Sequence, residues 1–269
     1  QRVGELSATR DGLAGRLRAL DERLSEGREQ LAAAESRREA LEELVARHDG
    51  VSPGAVALLE SGLPGIEGLL VDQLHAPRHL AEAVEAALGS STQAVLVAHR
   101  QAGLTALAHL REVQGGRVQL VPCDGLQPRA AAAPPTEHSQ RLLDLLECNG
   151  YAEQLTALLG HVRLVPDREA LAACVPDGVT VWVTADGDLL DERGILRGGT
   201  AGGEGGLVAR RAERDTLVER CGTLRRDVAA VGTEREQVAG ELAGLDGRLE
   251  ESRRELRRTE SERARTKER

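Results

Sequence analysis

Both ends of this chain carry an apolar seam at 3-4 spacing, and that pattern limits the fold more than any other feature. In residues 1–49, which lack proline, the seam runs Leu6, Arg10, Leu13, Leu17, Leu20, Leu24, Gly27, Leu31, Ala34, Arg38, Leu41, Val45, His48. In residues 207–269 it runs Leu217, Cys221, Leu224, Val228, Val231, Arg235, Val238, Leu242, Leu245, Leu249, Ser252, Leu256, and fades beyond. A seam held over several heptads, with charge elsewhere, predicts a coiled coil. A surface helix on a globular core rarely runs past about 25 residues. Glycines at 12, 15, 27, 222, 232, 240, 244 and 247 each cost roughly 1 kcal/mol against alanine, so these helices need a partner. The nearest partner for each is the other. If the intervening residues bring the chain back to where it left, the two helices run antiparallel, about 70 and 90 Å long at 1.5 Å per residue. The expected geometry is a rod with a globular cap.

The middle differs in composition. Between Val51 and Gly206 nineteen acids face ten arginines, so the net charge of −9 sits there and the flanks are charge-dense but neutral. The segment reads as mixed α/β. "SPGAVALLES" is helical, with Ser52 as N-cap and Pro53 at the first position. "PGIEGLLVDQL" is extended, "PRHLAEAVEAALG" helical to Gly89, "TQAVLVA" a strand, "RQAGLTALAHLREV" a helix and "GRVQLVP" a strand. A proline- and alanine-rich link over 125–138 follows. The chain then partly repeats itself: "AVEAALG" returns as "QLTALLG", "AVLVAHRQAGLTAL" as "VRLVPDREALAAC", "GRVQLVP" as "GVTVWVT". Each half reads helix, strand, helix, strand, which predicts two related lobes, 50–124 and 139–206.

The stretch "VTADGDLLDERGILRGGTAGGEGG", Val183 to Gly206, invites a phosphate-loop reading and fails it. It has no lysine for a Walker pattern, no GxGxxG in order and no following βαβ unit. "DGDLLD" lacks calcium-loop spacing. Asp186-Gly187 between two apolar runs predicts a hairpin instead, with a flexible joint over 202–206. No Ser, Cys and His arrangement points to nucleophilic catalysis, so no catalytic residue is assigned. His75 and His79 stand four apart, but Pro77 lies between them and the four ligands of structural zinc are missing; they read as surface histidines, and no metal is expected. Four scattered cysteines without a CxxC pair read as reduced thiols. Trp182 and Tyr151 are the only aromatics, which argues against a base-stacking platform. Arg193, Arg197, Arg210, Arg211 and Arg214 cluster near the start of the last helix, diluted by acids; any DNA contact there is expected to be weak, nonspecific and salt-sensitive. No apolar run approaches the roughly 20 residues of a membrane helix. The absence of Met, even at position 1, reads as a piece of a longer protein.

These residues resemble a known family. Helix, two-lobed α/β cap and helix are similar to the hinge and adjoining coiled coil of SMC (structural maintenance of chromosomes) proteins, most like the bacterial condensin type. "GIEGLLVDQL", "AVEAALGSSTQAVLV", "GRVQLVPCD" and "VTADGDLLDERGILRGGT" carry the match. The resemblance implies an α/β two-lobed hinge over 50–206, capping an antiparallel intramolecular coiled coil formed by an ascending helix (1–49) and a descending one (207–269). It implies dimerisation with a second copy through sheet pairing between lobes of opposite subunits, with Gly194, Gly198 and Gly199 at the interface and Gly65 and Gly68 as the first-lobe glycines. Where the family often has glycine, this chain has Arg193. ATP and Mg²⁺ would belong to head domains outside this sequence, as would contacts to a kleisin and accessory subunits. The implied role is chromosome condensation and segregation in the cytoplasm, associated with the nucleoid. Two other readings are a phosphate- or nucleotide-binding enzyme domain inserted in a coiled coil, and a monomeric structural spacer. Zinc-hook repair ATPases also place a module between antiparallel coils, but need an apical CxxC that is absent here.

Overall fold

The seams form two continuous helices in the computed structural model, which describes residues 2–127, 139–199 and 206–267. The first is α1 (Arg2–Ala46) and the last α7 (Leu207–Lys267). The chain divides into two compact units, 1–38 with 217–269, and 39–216. Each long helix therefore passes from one unit into the other, with the end of α1 and the first turns of α7 belonging to the second.

In the first unit the buried residues are Leu20, Leu24, Ala34, Cys221, Val238, Leu245, Leu249 and Ser252. Every one is a position of the predicted seams. The helices run antiparallel: Arg10 pairs with Asp246 (3.0 Å), Arg16 with Glu234 (2.5 Å), Asp21 with Arg235 (2.9 Å) and Glu35 with Arg225 (2.5 Å). From the first pair to the last the α1 number rises from 10 to 35 while the α7 number falls from 246 to 225, with Arg16 and Asp21 meeting the neighbours Glu234 and Arg235. These pairs are exposed and each contributes little stability, but they fix register and direction. Beyond Ser252 the described side chains of α7 are all exposed, Leu256 among them.

The second unit is a pair of lobes built to one pattern. After α2 (Pro53–Glu60), strand β1 (Ile66–Leu69) leads through a 3₁₀ turn (Leu70–Gln73) into β2 (Leu74–His75), then α3 (Ala81–Leu88), β3 (Val95–Val97), α4 (Arg100–Glu112) and β4 (Leu120–Pro122). The second half gives β5 (Gln140–Arg141), a 3₁₀ turn (Leu142–Leu145), β6 (Glu147–Cys148), α5 (Ala152–Leu159), β7 (Val162–Val165), α6 (Arg168–Ala173) and β8 (Val181–Thr184). In each half the first strand is antiparallel to the third and the third parallel to the fourth: β1 to β3 and β3 to β4, then β5 to β7 and β7 to β8. The parallel pairs need the helical crossovers that α4 and α6 supply. Even the caps repeat. His99 Nδ1 accepts from the Ala102 amide at the start of α4, and Asp167 Oδ1 from the Ala170 amide at the start of α6, each satisfying one of the amides a helix start leaves over. The repeat thus extends further than helix, strand, helix, strand, and takes in a leading strand–3₁₀–strand element. Strands β2 and β6, one from each half, pair antiparallel and join the lobes.

One apolar core serves both lobes. It holds Leu69, Leu70, Val84, Val95 and Leu96 from the first, Leu142, Leu155, Leu159, Val162 and Val183 from the second, and Val208 and Ala212 from α7. The second lobe continues past β8 into β9 (Leu189–Leu190) and β10 (Leu196–Arg197), giving a five-stranded sheet in the order β10-β9-β8-β7-β5, beside the three-stranded β1-β3-β4 of the first. Ser52 and Pro53 stand at the predicted start of α2, although the Ser52 side chain makes no cap hydrogen bond. Most of the expected 125–138 link and of the joint over 202–206 lies outside the described residues. No described helix is long and apolar enough to cross a membrane.

Candidate interface at the open sheet edges

The glycine-rich stretch folds as two successive turns. Asp186-Gly187 lies in the β8–β9 hairpin: the Thr184 amide donates to Asp188 O (2.8 Å) and the Gly187 amide to Thr184 O (3.0 Å), with Gly187 at φ 82°. A three-residue hairpin loop needs a left-handed residue at that position. The second turn, Asp191 to Ile195, is organised by one carboxylate. Asp191, buried, accepts from the amides of Ile195 (2.8 Å) and Arg193 (3.0 Å) and from the Arg193 guanidinium (3.1 Å), with Arg197 at 3.7 Å. The Ile195 amide above all, with those of Arg193 and its guanidinium, holds the carboxyl below the usual aspartate range.

This turn delivers β10 to the end of the five-stranded sheet, its outer side without a strand among the described residues. Leu196 is 70% exposed and Ile195 47%. Val175, 76% exposed, lies next to Pro176, which packs 3.3 Å from where a Cβ on Gly194 would be. An unpaired edge carrying apolar side chains is a site for association. The three-stranded sheet offers β1 as one open edge, with a bulge between Ile66 and Gly68.

The five glycines expected at the interface separate into two kinds. Gly65, Gly194 and Gly198 have reasons within the chain. A Cβ on Gly65 would stand 2.9 Å from that of Ala102, and its carbonyl accepts from the Ala98 amide. Gly194 closes the Asp191 turn. A Cβ on Gly198 would overlap the Asp188 carboxylate, which also pairs with Arg168. Gly68 (φ 122°) and Gly199 (φ 112°) are left-handed and face open space. Gly68 lies on the β1 edge and Gly199 just after β10, on different sheets of the same chain.

The five arginines also separate. Arg193 and Arg197 are exposed beside Asp191. Arg214, half-buried, binds Asp215 (2.6 Å). Arg210 and Arg211 are not offered to solvent: Arg210 binds the Asp49 carboxylate (3.1 Å) and carbonyl (2.9 Å), and Arg211, its side chain 7% exposed, binds Asp72 through two nitrogens (2.8 and 2.5 Å). Their charge is used inside the fold, with acids remote in sequence that local counting does not reveal. His75 contacts Asp215 (3.1 Å) and Asn149 (2.8 Å), and no metal-binding cluster occurs among the described residues. Ile195, Leu196 and Val175 were not singled out by sequence; the signal available was the Ile-Leu pair between Gly194 and Gly198, at the end of the apolar run that follows the predicted hairpin turn.

Residues 63–174 match the family model for the SMC proteins flexible hinge domain. A chromosome partition protein Smc of Myxococcus xanthus is 28% identical over 206 residues, 71% of this chain and 17% of that protein, so the chain spans under a fifth of this relative's length. The crystal structure of an asymmetric dimer of the Geobacillus stearothermophilus SMC hinge domain is similar in fold, with TM-score 0.72 and 24% identity, over 87% of this chain and 99% of that one. The Pyrococcus furiosus Smc hinge domain with an extended coiled coil gives TM-score 0.51 and 21% identity, over 95% of this chain and 94% of that one.

Proposed function

We propose that the chain carries a hinge domain of the SMC family and that this hinge joins two copies of the chain. The observation that carries the reading is β10: an open sheet edge bearing exposed Ile195 and Leu196, with Gly199 in open space beside it. The open β1 edge with Gly68 is the complementary surface. Pairing β10 of each copy with the first-lobe sheet of the other closes a two-fold ring and stops association at two. The dimer described for the Geobacillus stearothermophilus hinge supports this. Light scattering at micromolar concentration should give twice the chain mass of 28.7 kDa. Leu196→Glu, which places a charge on that edge, should give a folded monomer. A wild-type monomer at high concentration, or an unchanged Leu196→Glu dimer, overturns the proposal.

On this reading the hinge itself carries no catalytic role. In the longer protein, ATP and Mg²⁺ would act at heads at the far ends of the coils, where a kleisin and accessory subunits would bind. Chromosome partition, in a nucleoid-associated cytoplasmic protein, is the role that the name of the Myxococcus xanthus relative supports. For weak, nonspecific DNA contact the arginines with exposed side chains are Arg193 and Arg197, whereas Arg210 and Arg211 are engaged by Asp49 and Asp72. Reversing Arg193 and Arg197 to glutamate should weaken binding and flatten its salt dependence; an unchanged gel shift removes them from the contact.

A further inference from the structure

Among the described residues, helix α7 starts without a side-chain cap from its own end of the sequence. Gly206 occupies the N-cap position, since its carbonyl accepts the first intrahelical bond, from the Arg210 amide (3.0 Å). Ser, Thr, Asp or Asn normally stands there, to accept from the free amides of the first turn. Gly206 has no side chain to do so. The Glu85 carboxylate, from α3, is in that place. It accepts from the Leu207 amide (3.1 Å), and the amides of Leu207, Ala209 and Val208 all bear on it. A Cβ built on Gly206 would overlap this carboxylate, so glycine at 206 is what lets Glu85 reach the helix end.

The next turns are held from the same side. Arg210 binds Asp49, Arg211 binds Asp72 in the first 3₁₀ turn, and Asp215 contacts His75 on β2. All four partners, Asp49, Asp72, His75 and Glu85, belong to the first lobe or the turn leading into it. None of these four comes from the described residues of 139–206.

We propose that Glu85 is the N-cap of α7, supplied from 122 residues away, so that a residue of the first lobe fixes where the helix begins. Glu85 is a positioning residue, and Gly206 is the vacancy it requires.

Residue-resolved hydrogen exchange on the whole 269-residue chain tests this. The amides of Leu207, Val208 and Ala209 have no intrahelical acceptor, so their protection in the wild type reports the remote cap. Glu85→Ala should speed their exchange about fivefold or more, leaving core amides of β3 and β7 unchanged. Glu85→Gln, which keeps an acceptor, should stay near wild type. Gly206→Asp alone should destabilise the helix start, because its side chain meets the Glu85 carboxylate. Glu85→Ala combined with Gly206→Asp should restore protection, a local cap replacing the remote one. Unprotected amides in the wild type overturn the proposal. So does a Glu85→Ala effect spread equally over β3 and β7, or a double variant no better than Glu85→Ala. If Glu85→Ala does not fold, the wild-type protection and the Glu85→Gln variant decide.

Discussion

Asp191 shows how one side chain can set a surface several residues away. Its carboxylate gathers two amides and a guanidinium, and the turn so formed delivers Ile195 and Leu196 to the sheet edge. Because the folded carboxyl lies below the usual aspartate range, its contribution is present at pH above the unfolded value and is lost as pH falls through the folded one. Acid should therefore loosen the β9–β10 turn, read as faster amide exchange at 193 and 195. Asp191→Asn should exchange faster at neutral pH and lack that acid step; an identical acid response in Asp191→Asn would assign it to another group. Gly198 and Gly199 illustrate a different point. Both stand in the Gly-Gly pair that the family resemblance implies at the interface, but Gly198 is required by Asp188 in the same chain and Gly199 is not. A bulky residue at 198 would disturb the fold before it reported on association, so Leu196 is the cleaner probe.

Among the elements, those with long periods were legible in sequence and those held by distant partners were not. The coiled-coil seam was readable position by position, because a helix that must bury one stripe repeats it every three or four residues. The α3–β3–α4–β4 and α5–β7–α6–β8 runs were readable too, because each half restates the other. The two-residue strands β2, β5 and β6 carry no period to read, and "PGIEGLLVDQL" gave only an extended segment where the chain makes strand, 3₁₀ turn and strand. The Glu85 cap could not be read, since nothing local marks a partner on another helix, and the roles of Arg210 and Arg211 were hidden for the same reason. In the coil, Gly27 is distinct: a Cβ there would stand 3.0 Å from Val228 Cγ2, whereas Gly240 and Gly244 have nothing within 4 Å. Gly240→Ala and Gly244→Ala should each add up to about 1 kcal/mol to helix stability, seen as a higher unfolding midpoint. Gly27→Ala should gain less or lose stability, because Val228 must shift; equal gains at all three would place no close contact at Gly27.

At the scale of the whole molecule, a two-contact ring has a property that a single symmetric contact lacks. In the proposed ring each contact would join a second-lobe edge to a first-lobe edge, so one chain spoiled at β10 and another spoiled at β1 would retain one sound contact between them. Mixing Leu196→Glu with a folded Gly68→Val variant should therefore recover dimers that neither forms alone, measurable by light scattering. No recovery would mean that β10 meets β10. In that arrangement the second lobe would present β10, while Glu85, Asp49 and Asp72 contact the start of α7. The unit formed by 1–38 and 217–269 has a consequence of its own. Eight of its glycines, at 4, 12, 15, 222, 232, 240, 244 and 247, have nothing near where a Cβ would be, yet neither helix is interrupted. Each lowers local helix propensity by roughly 1 kcal/mol relative to alanine, so the loss is spread along both helices and concentrated at no single point.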